Sequence, residues 1–216
     1  MRTLLHNATL VNEGTQKQGS LVIENGRIVE VLTDMKPLSR PCDETIDATG
    51  CYLLPGVIDD HVHFRDPGLT HKADILSESR AAAAGGVTSV MDMPNTMPQT
   101  TNLQTWNDKM KLFSERSVVN YSCYFGATNF NVGLFRHLDR NRVCGIKLFM
   151  GSSTGNMLVD RMESLRRIFG ETDMLIAAHC EDQAIISRNA QKYLKKSNMD
   201  KDVPLLQHRN IRSAQA

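Results

Sequence analysis

The order of apolar and polar residues predicts a β-rich beginning to the chain. Two short apolar runs in "SLVIENGRIVEVL" are joined by Asn25-Gly26, which indicates a hairpin because both turn residues tolerate positive φ. The segments "ATLVN" and "GCYLLPG" supply further strands before residue 55. We therefore expect residues 1–54 to form a small β domain with a sandwich arrangement.

From Val57 onward the pattern changes to strands that alternate with helices, which favours an α/β fold with parallel strands and crossover helices. Five such units precede residue 195, whereas a closed (β/α)₈ TIM-type barrel needs eight and about 250 residues. The chain ends in "HRNIRSAQA", which resembles a helix start without a stop signal. We expect residues 55–216 to be the N-terminal part of a truncated barrel; a complete, open, doubly wound sheet is the alternative.

Composition narrows the class of partner. The 216 residues carry a net charge of +1 and are 41% hydrophobic, which is typical of a soluble globular protein. The near-neutral charge argues against a nucleic-acid or anionic-membrane partner. No apolar run reaches the ~18 residues that span a bilayer. Five cysteines without a C-x-x-C pair favour reduced thiols and a cytoplasmic location.

Candidate metal ligands begin with His61 and His63 in "IDDHVHFRDPG". Side chains two apart on a strand point to the same face, and in a barrel this strand end lies at the catalytic rim. Two adjacent imidazoles suit a divalent transition metal, most often Zn²⁺, although a chance pair is the alternative. Asp59 could orient an imidazole from behind, or lie at the strand end in solvent.

Two later strands supply further candidates. Lys147 lies within the apolar run "GIKLFM", where burial favours a neutral amine that can react with carbon dioxide to give a metal-binding carbamate. The alternative is an edge lysine that reaches solvent. His179 ends the fifth strand, and the following Glu181 and Asp182 resemble helix-capping acids. Three strands thus end in candidate ligands at one end of the fold.

These segments together resemble the type I dihydroorotases of the amidohydrolase superfamily, over essentially the whole chain. The motifs that carry the resemblance are "GVIDDHVHFRDPG", "MPNTMPQT", "GIKLFMGSSTG" and "AHCED". The resemblance implies reversible, zinc-dependent cyclisation of N-carbamoyl-L-aspartate to L-dihydroorotate in de novo pyrimidine biosynthesis. His61 and His63 would bind one zinc ion, carboxylated Lys147 would bridge two, and His179 would bind the second.

The same resemblance implies that Arg65 and Asn95 hold the substrate carboxylate. An ion pair with Asp66 is the alternative for Arg65, and a turn position beside Pro94 is the alternative for Asn95. Relatives that act on hydantoins, dihydropyrimidines or allantoin share the metal residues but usually lack this arginine. Another cyclic amidase is therefore one alternative function, and a non-catalytic scaffold is a second.

The family pattern also has parts without a match within residues 1–216. A further metal-binding histidine and the catalytic aspartate that moves the proton are expected after Ala216. We assign His208 no metal-binding role, because it does not end an apolar strand. The resemblance implies a small-molecule substrate, without a nucleic acid or membrane partner, and leaves open a homodimer or an assembly with another pyrimidine-pathway enzyme.

Overall fold

The structure is a computed structural model that describes residues 1–33, 37–151, 155–197 and 211–212. The chain divides into two compact units, Met1–Gly56 and Val57–Ala216. Across the described residues, no helix combines the length and the apolar character that crossing a membrane requires.

The first unit is a sheet of five strands in the order β3-β2-β1-β4, with β5 also paired to β1. The strands are β1 (Arg2–Asn12), β2 (Thr15–Glu24), β3 (Arg27–Thr33), β4 (Glu44–Asp47) and β5 (Tyr52–Leu53). The predicted hairpin joins β2 to β3, and Asn25 and Gly26 have φ values of 51° and 75°. The described part of this unit forms one sheet, so a sandwich stays a prediction.

The second unit alternates strands and helices, as the sequence predicts. Its strands are β6 (Val57–Val62), β7 (Val87–Asp92), β8 (Asn120–Cys123), β9 (Phe125–Gly126), β10 (Ile146–Phe149) and β11 (Ile176–His179). Its helices are α1 (Ile75–Ala84), α2 (Leu103–Arg116), α3 (Met162–Gly170) and α4 (Gln183–Ser197), with a 3₁₀ helix at Val132–His137. Side-chain caps fix the starts of two helices: Asp74 accepts from the Ser77 N–H before α1, and Asn102 from the Thr105 N–H before α2, each at 2.9 Å.

Every strand pair in the second unit is parallel and follows chain order. The orders are β6-β7-β8 and β9-β10-β11, and one extended segment contains both β8 and β9. Along it, the Tyr124 N–H donates to Asp92 O and the Phe125 N–H to Gly145 O, each at 3.0 Å. A doubly wound sheet reverses its strand order, whereas a barrel does not. The strict order therefore favours barrel winding and brings the carboxyl ends of the strands to one edge.

The helices cover one face of these strands through a continuous apolar core. Trp106 and Phe113 of α2 are buried in it, and the Trp106 indole N–H donates to Cys123 O at 3.0 Å. Ile146 and Leu148 of β10 are also completely buried. Burial of this size supplies the main free energy that holds helices to strands.

A buried ion pair ties three elements together at the end of β7. Lys109 Nζ on α2 lies 2.5 Å from Asp92 Oδ2, and both side chains are completely buried. The same ammonium donates to Met93 O at 2.7 Å. The other carboxylate oxygen, Asp92 Oδ1, accepts the Phe64 N–H at 2.7 Å. The pair therefore fixes the backbone that follows β6 against β7 and α2.

We expect Lys109→Met to lower the free energy of unfolding by about 3–5 kcal/mol, because it leaves the Asp92 carboxylate buried without a countercharge. Urea unfolding followed by circular dichroism measures this loss. Lys111→Met is the matched control: Lys111 is exposed, 4.0 Å from Glu115 on the same helix, and its loss should cost below ~0.5 kcal/mol. Equal effects of the two substitutions would contradict a structural role for the buried pair.

Candidate active site

The two histidines of the first strand end lie side by side. The ring centroids of His61 and His63 are 5.4 Å apart. Two imidazoles that bind one tetrahedral Zn²⁺ through nitrogens at ~2.1 Å place their centroids about 5 Å apart. The separation in this structure therefore fits a shared divalent metal, and the pair places two candidate ligands at the carboxyl end of β6.

Asp59 supports this segment through the backbone. Its Oδ1 accepts the His61 backbone N–H at 3.1 Å. The pairing of β6 with β7 is irregular between Asp59 and Val62, so regular alternation of side chains is interrupted there. Among the contacts of the described residues, the Asp59 carboxylate bonds the main chain rather than an imidazole nitrogen. Its predicted role in orienting a ring stays a prediction.

His63 is held by the loop that follows β7. Its Nδ1 lies 2.9 Å from Asn95 Oδ1, and both residues are half-buried. Burial and the nearby Arg65 charge lower the pKa of His63 below its usual value, while the Asn95 hydrogen bond acts in the opposite direction. A lowered pKa keeps the imidazole neutral near pH 7, which is the form that binds metals.

Arg65 follows directly in a constrained backbone conformation, with φ at 64°. The neighbouring carboxylate of Asp66 is buried and pairs with Arg116 Nη1 at 2.6 Å. Within the part of the chain that the structure describes, Arg65 makes no ion pair. The alternative of an Arg65–Asp66 pair is therefore wrong, because Arg116 of α2 occupies that carboxylate.

The loops that carry Arg65 and Asn95 are locked together. The Met97 N–H donates to Pro67 O at 3.0 Å. Gly68 has φ at 84°, and a Cβ at this position would collide with the Met97 main chain. Glycine is therefore required twice, for the left-handed backbone and for the close approach of the second loop.

A second group of candidate residues lies on β10 and β11. Lys147 is only 3% exposed, and it is in register with Ala177 of β11 and Gly126 of β9. Its ammonium lies 5.0 Å from the centre of the Phe149 ring. Burial lowers the pKa of Lys147, which favours the neutral amine that carboxylation requires. The alternative of an edge lysine in solvent disagrees with this burial.

His179 ends β11 beside this lysine-bearing strand. It is in register with Phe149, and the two rings lie 6.2 Å apart. The His179 Nε2 atom is 3.1 Å from Glu181 Oε2, and Glu181 also contacts the Arg212 guanidinium. Asp182 accepts the Ala184 and Ile185 N–H groups and so caps α4. The capping prediction therefore holds for Asp182, whereas Glu181 instead contacts a candidate ligand.

The structure thus shows two groups of candidate residues, His61 with His63 and Lys147 with His179. In the described ranges, no three His, Cys, Asp or Glu side chains converge on one metal position. The candidate donors nevertheless fit a metal centre, since they combine imidazole side chains with a buried lysine amine at parallel strand ends. His208 lies outside the described residues.

Sequence reasoning missed Asp92 and Lys109, and it gave Glu181 a capping role rather than its contact with His179. Asp92 stands at the end of the apolar strand "VTSVMD", where an acid between buried neighbours signals a paired carboxylate. Its partner Lys109 gives no comparable signal, because its place in the α2 sequence does not differ from that of an ordinary polar helix residue.

Comparison with known proteins decides the family. A family model for dihydro-orotase-like proteins matches residues 50–195, which is more than half of the chain. The chain belongs to the dihydroorotase-like family. A dihydroorotase of Methanosarcina acetivorans is 36% identical over 183 residues, which cover 83% of this chain and 38% of that relative. An allantoinase of Deinococcus radiodurans is 37% identical over 151 residues, or 69% of this chain and 33% of that relative.

Solved structures give the corresponding fold. The L-hydantoinase (dihydropyrimidinase) of Arthrobacter aurescens superposes with a TM-score of 0.88 at 26% identity, over 99% of this chain and 47% of that chain. The second unit of this dihydroorotase-like chain therefore has the α/β fold of the TIM-barrel amidohydrolases. The chain spans about two fifths of the length of the curated relatives it matches.

We expect Gly68→Ala to destabilise the protein more than Gly86→Ala, which serves as the matched control. Both glycines have nearly the same φ, 84° and 83°, but nothing lies within 4 Å of a Cβ at Gly86. Gly86→Ala should therefore lower the free energy of unfolding by about 1–2 kcal/mol, from backbone strain alone. Gly68→Ala adds the collision with Met97, and urea unfolding of both variants measures the difference. Equal losses would show that the two loops are not locked.

Proposed function

We propose that the protein is a dihydroorotase, which reversibly cyclises N-carbamoyl-L-aspartate to L-dihydroorotate with loss of water, in de novo pyrimidine biosynthesis in the cytoplasm. Membership of the dihydroorotase-like family and the similarity to dihydroorotases support this function. The proposal includes an eight-unit barrel for the whole protein, of which this chain forms the first five units. The substrate is a small molecule, as for the related enzymes.

The observation that carries the choice of substrate is the unpaired guanidinium of Arg65. Both proposed substrates carry a carboxylate that hydantoin, allantoin and dihydrouracil lack. Arg65 lies two residues after His63, it has no carboxylate partner among the described residues, and Asp66 is neutralised by Arg116. A guanidinium fork left free beside candidate metal ligands suits bidentate binding of a carboxylate. Asn95 lies within hydrogen-bond distance of His63 and supports the same subsite.

We further propose that the metal centre holds two zinc ions. His61 and His63 would hold one, His179 the other, and a carboxylated Lys147 would bridge them. The 5.4 Å separation of the first two rings and the burial of Lys147 support this set. When bound, zinc supplies a nucleophilic water at neutral pH and polarises the amide carbonyl.

The residues of this chain then act on the substrate and on the ligands. Arg65 and Asn95 orient the carboxylate so that the reacting amide faces the metal ligands, which can contribute several kcal/mol to lowering the barrier. Asp59 holds the backbone at His61. The aspartate that moves the proton is expected after residue 216 and stays a prediction.

Two alternatives keep specific support. The similarity to an allantoinase and to an L-hydantoinase favours another cyclic amidase as the second candidate. A non-catalytic scaffold is the third, but a scaffold has no need of a lysine that is buried without an ion pair among the described residues, on a strand paired with the one that ends in His179. A homodimer or an assembly with another enzyme of the pathway is proposed as the working state.

The proposed activity is tested by incubating the zinc-loaded whole protein, including the segment expected to carry the proton-moving aspartate, with carbamoyl aspartate, dihydroorotate, hydantoin, dihydrouracil and allantoin. We expect turnover of the first two only. Arg65→Met should lower kcat/KM for dihydroorotate by at least 100-fold, because a charged hydrogen-bond pair to the substrate contributes about 3 kcal/mol. Arg80→Met, which removes an exposed arginine of α1, is the control and should change it less than 2-fold.

Preferential turnover of allantoin or hydantoin, with little effect of Arg65→Met, would instead establish another cyclic amidase. Absence of turnover together with absence of bound zinc would favour the scaffold.

A further inference from the structure

Asn95 makes a hydrogen bond that fixes the state of His63. Its Oδ1 atom lies 2.9 Å from His63 Nδ1. An amide carbonyl oxygen can only accept, so the hydrogen in this contact belongs to the imidazole Nδ1. In a neutral ring the other nitrogen, Nε2, then carries the lone pair. The contact therefore selects one tautomer of His63 and one orientation of its ring.

The loop that carries Asn95 is held by hydrogen bonds before and after this residue. The Met93 N–H, two residues earlier, donates to Val62 O at 2.9 Å, next to His63 itself. The neighbouring Thr96 is buried, and its hydroxyl donates to Pro98 O at 2.9 Å. A side chain whose backbone is held on both sides loses little entropy when it orients a partner.

The same amide has a second functional end. Among the described residues, no acceptor lies within hydrogen-bond distance of Asn95 Nδ2. Its two N–H groups can therefore donate to an anion near Arg65, while the oxygen remains on the histidine. One planar side chain thus joins the candidate carboxylate subsite to a candidate metal ligand.

We propose that Asn95 is a positioning residue for metal binding: its carbonyl oxygen holds His63 as the Nδ1–H tautomer, with Nε2 presented to the metal, while its Nδ2 group keeps the carboxylate-binding role already given under the proposed function. The proposal deepens the proposed function, on which its substrate half rests. The half that concerns His63 depends only on the protein and the metal.

Two substitutions separate the two ends of the amide. Asn95→Asp keeps an oxygen acceptor for His63 Nδ1 but removes the donor and adds a negative charge. Asn95→Leu has a similar shape and removes both. Asn120→Leu is the control, because Asn120 is an exposed residue at the opposite end of a strand, bonded to Thr88 O.

The readouts are the tautomer of His63 in the metal-free protein, by ¹⁵N NMR of labelled histidine, and zinc affinity by competition with a chelator. In Asn95→Leu we expect loss of the single tautomer and zinc affinity lower by about 10–100-fold, as for other partners of metal-bound histidines. Asn95→Asp should keep the tautomer and bind zinc within 3-fold of the parent, yet raise KM for dihydroorotate. Asn120→Leu should change none of these.

The proposal is overturned if Asn95→Leu keeps both the tautomer and the zinc affinity, or if Asn95→Asp loses zinc affinity as strongly as Asn95→Leu. Circular dichroism of each variant shows whether a loss of zinc affinity results from unfolding. If Asn95→Leu is unfolded, the zinc affinity of Asn95→Asp decides whether the positioning role stands. If zinc affinity follows the expected order but the parent protein does not turn over dihydroorotate, the positioning role stands and the proposed substrate is wrong.

Discussion

The buried carboxylate of Asp92 is the contact on which the arrangement at the rim depends. It joins the segment after β6 to β7 through the Phe64 N–H, and joins both to α2 through Lys109. His63 and Arg65 flank Phe64 directly, so this acceptor helps to fix the position of both, together with the Asn95 contact to His63. Removing a charge from such a pair is costly, because its partner stays desolvated. The rim is thus supported by an ion pair whose two side chains are completely buried.

Much of the fold could be predicted from the sequence because its signals are local. Asn25-Gly26 indicates a turn, and the alternation of strands with helices predicts parallel strands. The strand Glu44–Asp47 escaped prediction, since all four residues are exposed and their pairing with β1 crosses forty residues of chain. Strand order is likewise a long-range property, which apolar patterning leaves open between barrel and doubly wound sheets.

The candidate site likewise has features that the local sequence predicts and features that depend on long-range contacts. Residue type and strand position are local, so His61, His63, Lys147 and His179 could be singled out. The partners of the charged side chains depend on long-range contacts. Nothing in the sequence indicates that Arg116 rather than Arg65 pairs with Asp66, or that Glu181 contacts His179. Those contacts determine which charges are available. Among the described residues they leave histidine and lysine side chains at the strand ends and the Arg65 guanidinium without an ion pair, a combination suited to a metal and an anionic substrate.

The central claim is that histidine nitrogen atoms and the carbamate oxygen atoms of carboxylated Lys147, rather than the cysteines, form the metal centre. All five cysteines are free thiols, and Cys180 directly follows His179, so a thiolate is the direct competitor. Zinc K-edge X-ray absorption of the zinc-loaded protein distinguishes the two. The account predicts a shell of nitrogen and oxygen at ~2.0–2.1 Å with imidazole scattering. A sulfur shell at ~2.3 Å, or a protein that retains no zinc, would contradict it.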